Sequence, residues 1–331
     1  MTEPLDRDRH LLDLASMSRE RMVGLLSRAR SFDDGTGSPK HHESRRRMLV
    51  GRSVCNLFFE DSTRTRVSFS LAARGLGAGT TNLTAPGSSI TKGETIVDTA
   101  SNVEATGGDA LVVRCSSAGA PELIARHVSV PVINAGDGSH EHPTQGLLDV
   151  YALSQALGRE DSFDLTDLNI AIVGDIASSR VARSDIAAMT RLGARVVCVG
   201  PAPLAPKSLE SLGCTVSADL DSVLGEVDAV QMLRLQFERH AGAKPGEKPS
   251  PPGVGSVREY RALYALTETR ARLMKPGSVV MHPGPINRGL EMDGAVADGL
   301  DGGPRSIVLA QVSAGVLVRM AVLTDLLGQH G

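Results

Sequence analysis

The chain has no tryptophan, and aromatic residues make up only 3 % of its 331 positions. Its core must therefore be aliphatic, and stacking platforms for nucleic-acid bases are scarce. It also lacks an excess charge of either sign. Lys and Arg number 35 against 38 Asp and Glu, which leaves −3 at pH 7. That balance argues against general binding to nucleic acid or to an anionic membrane surface. Cysteine is sparse and unpatterned. Cys55, Cys115, Cys198 and Cys214 form no CxxC pair, and the first three lie in apolar runs. They read as buried thiols of a reducing compartment, not as a disulfide frame or a zinc site. The first ten residues are charged and carry no apolar signal core, and no apolar run reads as long enough to span a membrane. A cytoplasmic protein with no membrane or nucleic-acid partner is expected.

What is present is a chain longer than one hydrophobic core usually serves, so two domains are expected. Leu11, Leu12, Leu14, Met17, Met22, Val23, Leu25 and Leu26 suggest one or two amphipathic N-terminal helices. A polar stretch, 32–47, ends in Arg45-Arg46-Arg47; a solvated loop is the plain reading and a polyanion site the alternative. Strand-like apolar runs recur at 52–59, 110–114, 130–134, 168–173, 195–199, 227–233 and 278–281, with segments of helical pattern between them. That alternation predicts an α/β fold, with parallel β-sheets flanked by helices. A helix fits 145–157, and a composition break follows at Gly158-Arg159-Glu160-Asp161, where the domain joint is expected. The last helix, about 308–327, is too apolar for a tail. Residues 240–256 are rich in Gly, Pro and Lys and read either as a mobile loop that closes over a site or as a surface insertion.

The polar clusters fall where the apolar runs end. Phe58-Phe59-Glu60-Asp61-Ser62-Thr63-Arg64-Thr65-Arg66 passes from strand to helix. Free N–H groups at a helix N-terminus, several hydroxyls and two guanidiniums suit a phosphate dianion; a Ser N-cap with surface arginines is the alternative. Ser88-Ser89-Ile90-Thr91-Lys92-Gly93 offers one Lys among hydroxyls, which alone reads equally as a solvated loop. Arg114 closes a buried run and either points into the crevice at a strand's carboxyl end or meets solvent. His142 and Gln145 stand at a helix start after a further strand; no HExxH spacing accompanies them, so a neutral imidazole donor fits better than zinc. Gly174-Asp175 opens a dinucleotide-like turn without GxGxxG, followed by Arg180. Arg234 and Gln236 end another strand, and His282-Pro283-Gly284-Pro285 a third. Two strand-end arginines suit a dicarboxylate.

In this order, Ser-Thr-Arg-Thr-Arg, Lys-Gly-Glu-Thr, Ala-Gly-Asp-Gly…His-Pro-Thr-Gln, Met-x-Arg-x-Gln and His-Pro-Gly-Pro resemble the catalytic chains of the aspartate carbamoyltransferase family over nearly the whole length. The resemblance implies a carbamoyl-phosphate domain, 1–149 plus 306–331, and an aspartate domain, 150–305, with the active site between domains and at a subunit interface. It implies that Ser62, Thr63, Arg64, Thr65, Ser88, Lys92, Arg114, His142 and Gln145 contact carbamoyl phosphate. Of these, Arg64, Thr65, Lys92, Arg114 and His142 take part in catalysis. Lys92, Arg180, Arg234, Gln236 and the backbone carbonyls of Pro283 and Gly284 contact L-aspartate. Arg66 matches an Arg used in structural pairing, and Glu60-Asp61 touches no assigned contact. Ser88 and Lys92 reach a neighbouring subunit, so a homotrimer is implied; a higher assembly with a regulatory chain or a dihydroorotase is left open. No cofactor and no metal is expected. The resemblance implies direct transfer of the carbamoyl group to L-aspartate, giving N-carbamoyl-L-aspartate and phosphate in pyrimidine synthesis, without a covalent intermediate. Gly284-Pro285 departs from the Leu-Pro often found there, which backbone contacts tolerate. Ornithine as acceptor, with the His-Cys-Leu-Pro of that branch absent, a scaffold subunit without turnover, and a nicotinamide-binding protein without its glycine fingerprint are the rival readings.

Overall fold

The computed structural model describes residues 5–34, 45–84, 93–236 and 252–328. The chain divides into two compact units, Met1–Leu148 with Ser313–Gly331, and Asp149–Val312. The switch at Leu148/Asp149 falls ahead of the composition break at Gly158.

The first unit runs α1 (Arg19–Phe32), β1 (Ser53–Phe58), α2 (Thr63–Gly75), β2 (Gly79–Thr84), α3 (Ile96–Ala105), β3 (Ala110–Cys115), α4 (Ala120–Ala125) and β4 (Val132–Asp137), and into α5 (Pro143–Ala156). Its four strands are parallel in the order β2-β1-β3-β4. β1, β3 and β4 are buried almost throughout, because helices cover both faces of a parallel sheet and leave no place for alternating polar residues. Leu57, Ala100, Leu111, Val113, Ile124 and Val132 form the core on one side. β2 is the exception. Gly79-Thr-Thr-Asn-Leu-Thr is a polar edge strand with three exposed residues, and nothing in its composition marks it as strand. The stretch Leu11–Leu14 is not helical. Leu11 donates to the Val132 carbonyl at 2.9 Å and accepts from Asn134 N–H at 2.8 Å, lying as a short parallel bridge along β4. Val132 N–H donates to His10 Nδ1 at 3.0 Å, and burial, with Arg9 nearby, lowers that imidazole to about 4. Of the Arg45-Arg46-Arg47 run, Arg45 is committed within the fold. It donates to the Phe32 carbonyl, and its guanidinium lies 5.6 Å from the centre of the Phe32 ring.

The second unit runs from α5 through β5 (Asn169–Val173), α6 (Arg180–Arg191), β6 (Arg195–Val199), β7 (Thr215–Ser217), α7 (Asp221–Leu224), β8 (Ala229–Met232), α8 (Val257–Tyr264), α9 (Glu268–Ala271), β9 (Val279–Met281), α10 (Gly294–Asp298) and β10 (Arg305–Ser306), and into α11 (Val308–Leu327). All six strands are parallel in the order β10-β9-β8-β5-β6-β7. Counted from β5, this is the doubly wound order of dinucleotide-binding folds. β7 and β10, of three and two residues, are too short to carry a hydrophobic pattern. A buried polar network crosses this unit. The Gln231 amide donates to Asp149 at 3.1 Å and to Asp185 at 3.2 Å, and Gln311 donates to Asp149 at 2.6 Å. Asp149, Asp185 and Gln231 are fully buried.

All four cysteines are buried and none is disulfide-bonded; Cys198 and Cys214 hold their sulfurs 3.6 Å apart. α11 has the bounds read from the sequence, Val308–Leu327, but against the expectation that no apolar run is long enough for a membrane, its length and composition would let it cross one. Packing explains it. Leu317, Val318, Met320, Ala321 and Leu323 are buried, and Arg319, also buried, lies 5.1 Å from the centre of the Phe69 ring and donates to Ser68 Oγ at 2.8 Å.

Candidate active site

In the first sheet the chain winds outward from β1 to β2 and then returns past β1 to β3, so the winding reverses between β1 and β3. Open α/β sheets leave a crevice at the carboxyl ends of the strands at such a point. Ser62, Thr63, Arg64 and Thr65 follow β1 there, and Arg114 lies on the neighbouring strand, paired in register with Phe58. Phe59 N–H donates to the Arg114 carbonyl at 2.8 Å, which carries the pairing one residue beyond β1.

Ser62 is the N-cap of α2, with extended backbone, yet its hydroxyl makes no capping hydrogen bond. Ser18, Thr95, Ser179, Ser256 and Thr267 all cap their helices through the side chain. The first turn of α2 contains no acidic residue, and its sequence there is Thr-Arg-Thr-Arg. The first four N–H groups of a helix have no partner within it. That partial positive charge and two arginines therefore share one helix turn, which contains no acidic residue. This is an anion site in its chemistry. Thr65 is buried, whereas Thr63 and Arg64 are exposed.

Arg114 is aimed by two acceptors. It donates to the Ala135 carbonyl at 3.1 Å and to Glu60 Oε1 at 2.9 Å. Glu60, which sequence reasoning left without a contact, thus orients one of the assigned cations. His142 is buried and immediately precedes α5, and its carbonyl accepts from Gln145 N–H at 2.8 Å. The loop that presents it is built on Asp137. That carboxylate accepts from Gly119 N–H at 2.7 Å, Asn134 Nδ2 at 2.8 Å and Glu141 N–H at 3.1 Å, and pairs with His140 at 3.0 Å. Burial alone would raise its pKa. The bonds from His140, Asn134 and Gly119 outweigh that and hold it below the ordinary carboxylate range; the same bond raises His140. Gly138 has φ +51°, and a Cβ there would come within 2.9 Å of Ser116 O and Ala118 N, so only glycine lets the two strand-end loops pack this closely. Glu141 accepts from Leu14 N–H at 2.8 Å and Ala15 N–H at 3.1 Å, tying the start of the chain to this loop.

In the second unit the winding reverses between β5 and β8. Arg180, buried, begins α6 after β5; Arg234 and Gln236 follow β8. Gln236 Nε2 lies 3.4 Å from the Ser178 carbonyl, across that reversal. Pro283 and Gly284 follow β9, the next strand. The β5 turn packs closely on its neighbours. Gly174 has φ +129°, and a Cβ on it would stand 3.0 Å from the Leu233 carbonyl and 3.2 Å from Tyr260 Oη.

Each unit thus gathers its assigned residues at the carboxyl ends of adjacent strands. Ser88 and Lys92 lie outside the described residues, as does most of the 240–256 loop. Asp137, Glu141, His282 and Glu291 were missed because they hold other groups in place, and a single sequence gives no sign of that role.

The sequence matches two family models in tandem. Residues 9–155 match "Aspartate/ornithine carbamoyltransferase, carbamoyl-P binding domain" and residues 166–326 match "Aspartate/ornithine carbamoyltransferase, Asp/Orn binding domain". The aspartate carbamoyltransferase catalytic subunit of Myxococcus xanthus is 50 % identical over 315 residues, covering 95 % of this chain and 98 % of that protein. Among solved structures, aspartate transcarbamoylase from Trypanosoma cruzi in complex with carbamoyl aspartate and phosphate matches with TM-score 0.78 at 29 % identity, over 96 % of this chain and 95 % of that one. Ornithine carbamoyltransferase from Pyrococcus furiosus matches with TM-score 0.80 at 26 % identity, over 98 % of each chain. Backbone likeness alone therefore does not choose the acceptor.

Proposed function

The chain belongs to the aspartate/ornithine carbamoyltransferase family, and from that premise we propose that it transfers the carbamoyl group of carbamoyl phosphate to the amine of L-aspartate, giving N-carbamoyl-L-aspartate and phosphate, a step of pyrimidine synthesis. The observation that carries the reading is the α2 N-terminus, without a side-chain cap or an acidic residue, beside Arg114 at the strand-order reversal.

The phosphate of carbamoyl phosphate sits on the first turn of α2, held by Ser62, Thr63, Arg64 and Thr65, with Ser88 and Lys92 completing the site. Thr65, Arg114 and His142 donate to the carbamoyl oxygen, and Gln145 accepts from the carbamoyl NH₂. Arg180 and Arg234, with Gln236 and Lys92, hold the two carboxylates of aspartate, and the carbonyls of Pro283 and Gly284 accept from its amine. The neutral amine attacks the carbamoyl carbon. A C–N bond forms, and negative charge gathers on the carbonyl oxygen, where the preorganised donors stabilise it most. The carbon–oxygen bond to phosphate then breaks, and phosphate leaves into the helix end, taking the proton that the amine sheds. Positioning two anions in contact, with water displaced, supplies much of the acceleration.

Aspartate is favoured over ornithine because arginines end the strands of the second sheet, whereas a second ammonium would want a carboxylate there. The active unit is a homotrimer, in which Ser88 and Lys92 serve the neighbouring subunit's site. Exposed Val67 and Leu71, one turn apart on α2, and the polar edge strand β2 support an interface on this face. The buried, unbridged thiols support a cytoplasmic setting.

Steady-state phosphate release, measured with L-aspartate and with L-ornithine on a preparation sized by sedimentation, tests this. Turnover with aspartate alone from a three-chain particle is expected. Turnover with ornithine instead would discard the second-unit assignments, and full activity from a single chain would discard the shared site.

A further inference from the structure

His282 follows β9 directly and is buried together with Glu291. Its backbone N–H donates to Gln311 Oε1 at 2.8 Å, which fixes where the residue sits. Its Nδ1 accepts from Gly284 N–H at 2.8 Å. An acceptor nitrogen carries no proton, so the imidazole is the neutral Nε2–H tautomer. That Nε2 lies 3.3 Å from Glu291 Oε1, a contact at ion-pair distance rather than a hydrogen bond, so the carboxylate acts on the ring through its field. Glu291 is itself held: its Oε1 also accepts from Asn287 N–H at 2.6 Å, and its own carbonyl accepts from Leu266 N–H at 2.9 Å.

The Gly284 N–H belongs to the peptide group whose carbonyl is that of Pro283. Drawing on that N–H pushes electron density onto the Pro283 oxygen, since linked hydrogen bonds polarise one another. A carboxylate facing the far side of an imidazole makes its other nitrogen a stronger base, as it does for metal-ligating histidines. Charge on Glu291 is therefore felt, through one ring and one peptide, at the carbonyl oxygen of half-buried Pro283. In a dry interior such polarisation is little screened.

We propose that Glu291 and His282 are positioning residues for the acceptor amine: the buried carboxylate acts through the imidazole on the Pro283–Gly284 peptide and strengthens the Pro283 carbonyl as the group that receives and aims the substrate's N–H. This rests on the aspartate reading given above, in which that carbonyl meets the amine. It assigns the two residues to the aspartate half of the reaction alone. A purely structural pair would lower stability and affect both substrates; this pair affects one.

Two substitutions separate the cases. Glu291→Gln keeps the shape and the acceptor for Asn287 N–H while removing the charge that faces His282 Nε2. His282→Asn keeps an acceptor for Gly284 N–H, as in an Asx-turn, while cutting the link to Glu291; the double variant avoids leaving a buried carboxylate without its imidazole. In each, kcat/KM for L-aspartate is expected to fall about five- to tenfold, the difference between a charge-assisted and a neutral hydrogen bond. KM for carbamoyl phosphate and the thermal midpoint stay near the wild-type values in Glu291→Gln and in the double variant. The double variant is no worse than either single one, because the two act as one unit. An unchanged kcat/KM for aspartate in a folded Glu291→Gln protein, additive losses, or equal losses toward both substrates would overturn the proposal. If the single variants do not fold, the double variant decides by the same ratios. A wild-type chain without aspartate turnover overturns the site reading and the relay with it; an active wild type with an unaltered Glu291→Gln overturns the relay only.

Discussion

Arg114→Ala lowers kcat by about 100- to 1,000-fold, the loss expected when a preorganised donor to a developing oxyanion is removed. The geometry makes this residue hard to replace. Its guanidinium spans the Ala135 carbonyl and Glu60 Oε1, and a planar fork with five donors can meet both and still present N–H groups to a substrate oxygen. Arg114→Lys is expected to recover little, since a single ammonium cannot keep both anchors and the oxygen in line. Affinity for carbamoyl phosphate falls less than kcat, because the α2 N-terminus still holds the phosphate. Steady-state kinetics with both substrates saturating makes the comparison. A kcat within about threefold of wild type would remove Arg114 from the donors assigned to the carbonyl oxygen.

Asp185→Asn stabilises the protein at neutral pH, by about 1.4 kcal/mol for each pH unit that the folded carboxyl is held above its unfolded value. Asp185 is fully buried on α6 and hydrogen-bonded to Asp149, so burial first, then the Asp149 charge, hold its carboxyl well above the ordinary value of 3.8. The sign follows from linkage. Above pH 3.8 the unfolded chain ionises this group and gains from doing so, while the folded chain keeps the proton; the unfolded state binds fewer protons and stability falls as pH rises. An asparagine amide donates to Asp149 as the protonated carboxyl does and loses nothing at higher pH. The gain should therefore be present at pH 7 and vanish as pH approaches 4. Urea midpoints for both proteins at the two pH values check it. A gain of equal size at both, or a loss at pH 7, would contradict the shared-proton description.

The strands that carry the site were legible. β1, β3, β4, β5, β6, β8 and β9 all appear in the sequence as apolar runs, because a strand covered on both faces must be apolar along its length. β2, β7 and β10 were not: the first is polar at an edge and the others span two or three residues. The candidate site residues stood out for a related reason. Hydroxyls and guanidiniums where an apolar run ends are conspicuous. Their supports were silent. Glu60 pairs with Arg114 54 residues away, and Glu141 holds the Leu14 amide 127 residues away; a carboxylate whose work is to hold a distant group looks like any other until the chain is folded. Residues 11–14 show the same limit. Leu11 to Leu14 carry the apolar density of a helix, but the open edge of β4 takes them as a bridging strand, a choice set by tertiary contacts over local propensity.

Ser62 starts a helix without closing it. In most helices the residue at that place stabilises the first turn by about 1 kcal/mol, whether or not anything binds. Here that term is left for a visitor to supply. On the reading proposed above, a phosphate on α2 stands, while it stays, where a capping side chain stands in other helices. Binding and local order are then one quantity measured from two sides. Inorganic phosphate, the product, is on that reading a ligand for the same helix end.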